Sequence, residues 1–235
     1  MRLSAPIHRL KRRARLMART ESIPLNEALD RVARDEGYPA WSLLARRHPG
    51  AGSDEPLLPR LTPGDMLLLG ARPGQGKTLL GLRLLQEAVA QGHRAVFYTL
   101  DYTEAQVTER LDRLAPGTPD HGVEILVSDE IDAGFIARHL ADAPRGTVAV
   151  IDYLQILDQR RSTPPLSDQL QVLGSLARDR GLILAFIAQI DRRFAAAPGV
   201  VPGLADLRLP NPVPDGAFSA ACFLHDGRSR FARLA

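Results

Sequence analysis

Nine consecutive residues, Gly70-Ala71-Arg72-Pro73-Gly74-Gln75-Gly76-Lys77-Thr78, hold the types and spacing needed to grip a chain of phosphates. Gly74 and Gly76 permit backbone conformations in which successive N–H groups turn inward around anionic oxygens, and a helix opening at Thr78 adds its partial positive charge. Lys77 would reach the outer phosphates and the Thr78 hydroxyl would bind Mg²⁺. The usual pattern has Gly where Ala71 stands, a change that leaves the loop workable. Arginine outnumbers lysine heavily in this chain, whose lysines are Lys11 and Lys77. Finding one of that pair in this slot argues against an ordinary glycine-rich turn. Such a loop also needs a carboxylate at the end of a neighbouring strand to support the metal. The apolar run Thr147–Ile151 ends in Asp152, which either fills that role or opens a turn.

The elements that would position these groups can be read from periodicity. Met66–Ala71, Ala95–Leu100, Glu124–Val127, Thr147–Ile151 and Leu182–Ala188 are nearly continuous apolar runs, as in strands covered on both faces. Between them Thr78–Ala90, Thr103–Leu114, Ala133–Ala141 and Leu166–Arg178 carry helical spacing, and Ala220–Leu224 reads as one more strand. Alternating strand and helix imply an α/β fold with a mainly parallel central sheet, flanked by helices, with ligands at the carboxyl ends of the strands. Residues 65–235 form this domain. Residues 1–48 read as a small all-helical module. Ile7, Leu10, Ala14 and Met17 form the apolar side of a basic helix, and Ser22 is positioned to cap a second helix with Pro24 in its first turn. That second helix carries a stripe of Leu25, Ala28, Leu29, Val32 and Ala33 up to Gly37, and a short third helix is anchored by Trp41, Leu43 and Leu44. The Pro- and Gly-rich stretch 49–64 reads as a linker.

Together, Ala71–Thr78 and Asp152-Tyr153-Leu154-Gln155 resemble the ATPase domain of DnaB-type replicative helicases, a branch of the RecA-like P-loop NTPases. Phe97-Tyr98-Thr99-Leu100-Asp101 is similar to that family's strand leading to a catalytic Glu, and Ala188-Gln189-Ile190-Asp191-Arg192 to its sensor strand. The resemblance covers about residues 60–225 and implies ATP binding and hydrolysis, single-stranded DNA as partner, and a homo-oligomeric ring of six subunits sharing arginines between neighbours. It assigns Ala71, Arg72, Pro73, Gly74, Gln75, Gly76, Lys77 and Thr78 to the nucleotide, and Thr78 and Asp152 to Mg²⁺. It also makes Gln189 a γ-phosphate sensor and gives Asp101 the place of the residue that orients the attacking water. The family has Glu at that place. Asp is one methylene shorter, and a displacement of about 1 Å can cost on the order of 10²-fold in rate. Asp101 could instead cap the helix Thr103–Leu114. The N-terminal module is shorter than the family's helical N-terminal domain, and only residues 225–235 follow the last strand, leaving Arg228 and Arg230 as stand-ins for the arginine finger. These departures keep a second reading open: a nucleotide-gated switch or DNA-binding accessory ATPase with weak or no hydrolysis.

Charge is divided unevenly. Residues 1–48 carry a net +6 and residues 49–235 a net −3, which points to a basic arm that meets a polyanion, or to a solvated helix face, or to a transit-peptide-like start. Arg160 and Arg161 in one loop, and Arg192 and Arg193 in another, are the candidate DNA contacts of the larger domain, with solvated loop arginines as the alternative. A single cysteine, Cys222, excludes an intrachain disulfide and fits a reducing cytoplasm. The longest apolar runs, Met66–Leu69 and Leu182–Ala188, fall short of the roughly 20 residues that cross a bilayer. The six histidines show no ligand spacing, so no structural metal is expected.

Overall fold

The computed structural model describes residues 3–5, 7–47, 55–118, 120–158, 164–191, 194, 202–207, 213–225 and 228–234. The chain divides into two compact units: residues 1–54 with 225–229, and residues 55–224 with 230–235.

The strands are β1 (Met66–Ala71), β2 (Ala95–Thr99), β3 (Val123–Val127), β4 (Val148–Asp152), β5 (Ile183–Gln189), β6 (Ala220–His225) and β7 (Arg228–Arg233). They form one sheet in the order β3-β2-β4-β5-β1-β6-β7, and the pairings β3–β2, β2–β4, β4–β5, β5–β1 and β1–β6 are all parallel. With the small unit's three helices counted first, the helices of the larger unit are α4 (Lys77–Ala90), α5 (Glu104–Leu114), α6 (Ala133–His139) and α7 (Leu166–Arg180).

Side chains alternate across a strand, so each strand feeds two cores. Leu67 and Leu69 of β1, Phe97 of β2, Val150 of β4 and Ile187 of β5 pack with Leu82 and Leu85 of α4 and Leu111 of α5. Their neighbours Leu68, Tyr98, Ile151 and Phe186 face the opposite way, toward Ile136 of α6 and Leu170 and Leu173 of α7. Burial on both faces is why these runs lack a polar alternation. A Cβ on Gly81 would come within 2.9 Å of Val150 Cγ1 and 3.1 Å of Ile187 Cδ1, so the missing side chain sets how closely α4 lies on β4 and β5. Cys222 in β6 is 1% exposed, and burial pushes its thiol pKa up to about 11.

Within the stretch read as a linker, residues 49–54 lie outside the described residues, and Leu57, Leu58 and Leu61 are buried in the core that α4 and α5 form with the sheet. β7 is an addition to the expected pattern. Its Arg233 donates to both carboxylate oxygens of Asp65 at 2.7 Å, beside a Ser219 hydroxyl at 2.7 Å and the Thr62 amide at 2.6 Å. Burial opposes ionisation of Asp65, but the Thr62, Ser219 and Arg233 donors outweigh it and hold its pKa below the ordinary value. Arg60 stacks over Phe231 at 4.1 Å, joining β7 to the segment before β1 a second time.

The helices of the smaller unit are α1 (Ile7–Thr20), α2 (Leu25–Asp35) and α3 (Trp41–Arg47). Its core is Leu10 and Ala14 against Ala28, Val32, Ala33, Tyr38 and Leu44. Trp41 is only partly buried at the rim, and Leu25 is exposed, so the expected stripe is narrower by one residue. Ser22 does not cap α2. It sits in a left-handed turn at φ 53°, and Pro24 takes the N-cap position without a side-chain cap. A proline there loses nothing, because its missing N–H would have no helical partner.

Candidate nucleotide site

β1 ends at Ala71, and α4 begins six residues later at Lys77. Gln75 N–H donates to Arg72 O at 3.2 Å, and Gly74 and Gly76 take φ values of 78° and 90°. A Cβ on either glycine would meet nothing within 4 Å, so both are required by backbone conformation and not by crowding. Gly76 is the N-cap of α4, and no side chain caps that helix. Its first amides therefore remain available to an anion at the end where the helix dipole favours negative charge.

Parallel register brings the other groups to the same edge. Gln189, the last residue of β5, lies opposite Ala71. Asp152, the last residue of β4, lies opposite Thr99 of β2 and Ile187 of β5. The Thr78 hydroxyl donates to Asp152 Oδ2 at 2.8 Å, joining the first turn of α4 to the tip of β4. The peptide bond after Asp152 is cis, and the chain continues through Tyr153 into a short 3-10 helix, Leu154–Asp158, that contains Gln155.

Asp152 is 1% exposed, and its pKa is raised to about 6. Burial is the main cause. Thr78, Lys77 and Arg110 pull the other way, while the Asp101 carboxylate adds to the rise. A buried carboxyl whose charge is penalised by burial and met by a hydroxyl has the character of a group waiting for a cation.

Asp101 stands exposed two residues beyond β2, its N–H donating to Thr99 Oγ1 at 3.1 Å. It is not the cap of α5. Thr103 fills that place in a capping box with Gln106, at 3.3 Å and 3.1 Å. Two neighbours escaped the sequence reading. Thr99 fixes the backbone at Asp101, and Arg110 of α5 stacks over the Tyr102 ring at 4.1 Å. Tyr102 precedes α5, so no helical spacing in the sequence announces that stack. Arg160, Arg161, Arg192 and Arg193 lie outside the described residues, and Arg230 is an exposed residue of β7.

The donors fit Mg²⁺. Among the described residues no group of three or more His, Cys, Asp or Glu side chains could hold a metal ion. A hydroxyl and a carboxylate side by side supply only part of a shell, which suits a hard ion that keeps waters and takes further ligands from phosphate. Among the described residues no helix is long and apolar enough to cross a membrane.

Comparison with known proteins places this architecture. No protein-family model matches the chain. It is 24% identical over 198 residues to the replicative DNA helicase DnaB of Treponema pallidum, covering 70% of this chain and 44% of that protein. It is 33% identical over 60 residues to the DNA repair protein RadA of Campylobacter jejuni, covering 26% of this chain and 14% of that one. The chain thus spans less than half the length of either relative. Among solved structures, an ATPase domain superimposes with a TM-score of 0.57 at 16% identity, covering 78% of this chain and 82% of that one. A DnaB-like replicative helicase, solved in a study of its interactions with primase, gives 0.56 at 14% identity, covering 91% and 65%. The fold is the RecA-like P-loop fold of DnaB-type ATPase domains.

Proposed function

We propose that this chain, with its DnaB-type RecA-like fold, is a magnesium-dependent ATPase that acts on single-stranded DNA in the cytoplasm, as one subunit of a helicase or translocase ring. The observation that carries the reading is the Thr78–Asp152 hydrogen bond under a glycine loop whose helix has no side-chain cap. In this reading the loop from Ala71 to Thr78, including Arg72, Pro73 and Gln75, cradles the phosphates, and Lys77 neutralises the outer ones. Thr78 and Asp152 hold Mg²⁺, which when bound offsets charge on the phosphates. Asp101 accepts a hydrogen bond from the attacking water and orients it. Gln189, in register with the start of the loop, senses whether the outer phosphate is present. Arg160, Arg161, Arg192 and Arg193 neutralise the DNA backbone without reading sequence.

The test is ATP turnover with Mg²⁺, with and without a single-stranded oligonucleotide, in the unmodified protein and in Lys77→Ala. Turnover that DNA stimulates and Lys77→Ala abolishes supports the motor. A protein that binds no nucleotide would reject the reading. The shorter Asp101 favours one alternative, a nucleotide-gated switch, which predicts Mg-dependent nucleotide binding with almost no turnover.

A further inference from the structure

The buried side of α1 is formed by Leu10 and Ala14, with Met17 packed against the same core. At 100° per residue Arg12, Arg15 and Arg19 lie on the opposite side together with Leu16, and Lys11 lies on its flank, all five exposed. Lys11, Arg15 and Arg19 follow at four-residue intervals, a row of cations spaced about 6 Å apart along the helix axis. The helix contains no acidic residue and no Phe, Tyr or Trp.

The acids of residues 1–48 are engaged elsewhere. Asp35 pairs with Arg13 at 2.7 Å, and Glu21 and Glu27 both pair with Arg31 at 2.7 Å. Asp30 accepts from the Trp41 amide at 2.8 Å, and Glu36 from the Ser4 amide at 2.7 Å. Every acid in residues 1–48 thus has a partner other than Lys11, Arg12, Arg15 or Arg19.

We infer that this ridge is a docking surface for the backbone of duplex DNA, carried on a different unit from the nucleotide loop. Single-strand binders combine cations with aromatic stacking platforms, and α1 offers no aromatic ring. A bare row of cations is rewarded most by the partner with the densest charge, and duplex DNA carries one negative charge per about 1.7 Å of its axis. A bilayer is the poorer partner, because an interfacial helix must bury a broad apolar face in lipid, whereas Leu10, Ala14, Met17 and Ala18 are in the unit's core and Leu16 alone of the described apolar side chains of α1 is exposed. The surface goes beyond the proposed ATPase role: it would tether the protein to duplex whether or not nucleotide is turned over.

The experiment uses the full chain without nucleotide and a fluorescent duplex of mixed sequence, with anisotropy titrations across a salt series. Three proteins are compared: the unmodified chain, Lys11→Ala/Arg15→Ala/Arg19→Ala, and Arg113→Ala/Arg138→Ala/Arg180→Ala, which removes equal charge from positions of the larger unit. For the α1 variant the slope of log affinity against log salt is expected to become shallower by about 2.7, or about 0.9 for each lost phosphate contact. The second variant is expected to keep the original slope. Far-UV circular dichroism confirms that α1 remains folded.

Equal slopes in all three proteins would overturn the inference, as would equal losses in the two variants. So would tighter binding of an unstructured single strand than of duplex, or binding to phosphatidylserine vesicles with none to duplex. Nucleotide affinity measured on the same samples separates the two readings. A protein that fails to bind nucleotide but shows the α1-dependent slope rejects the ATPase proposal and keeps this one.

Discussion

At the scale of single residues, Asp152 sets function against stability. Its carboxyl has an ordinary pKa of 3.8 and a folded value of about 6, so between those values the folded state holds more protons than the unfolded state. Raising the pH through that window therefore weakens the unliganded fold, by up to about 3 kcal/mol when complete at pH 7. Asp152→Asn removes the penalty and still accepts the Thr78 hydrogen bond. We expect it to melt a few degrees higher than the unmodified protein at pH 7, with the gain shrinking toward pH 4, while Mg-dependent nucleotide binding is lost. A variant that melts lower at pH 7 would contradict this account of the site. The same carboxyl predicts that Mg-nucleotide affinity falls as pH drops below about 6, because protonation removes the ligand. Asp101→Glu tests reach. If the missing methylene limits water orientation, turnover rises, by as much as about 10²-fold.

At the scale of elements, α4 depends on Gly81. Placing Val there drives a branched side chain into Val150 and Ile187, and such overpacking typically costs about 1–3 kcal/mol. Lower stability in denaturant titration, with weaker nucleotide binding as the loop shifts, is the expected result for Gly81→Val. Replacing Arg233 with Ala should also be costly, since it leaves the buried Asp65 carboxylate short of its only charged partner among the described residues. The same elements show what could be read before the structure. β1, β2, β4 and β5 were legible because burial on both faces leaves unbroken apolar runs, and their ends fell within a residue or two of those expected. β7 was not, since Arg-Ser-Arg-Phe-Ala-Arg has no apolar run; only the Asp226-Gly227 pair between two extended segments hinted at a returning strand. The loop and its carboxylate were legible because their chemistry demands particular residue types. The Tyr102–Arg110 stack was not, because a tertiary contact between common residues leaves no required spacing.

For the whole molecule, the proposed ring makes a quantitative demand. In phosphoryl transfer an arginine supplied by a neighbour is worth about 10³–10⁵ in rate. ATPase activity per subunit should therefore climb with protein concentration and reach a plateau as copies associate; activity that stays flat while sedimentation shows a monomer would reject the shared site. Cys222 supplies an internal reporter for following the larger unit. As the chain's lone thiol, buried beside β1 with its pKa held near 11, it should resist alkylation until β6 opens. Its labelling rate becomes a clock for that opening, and a ligand gripping the nearby loop should slow the clock even under conditions where no turnover can be measured.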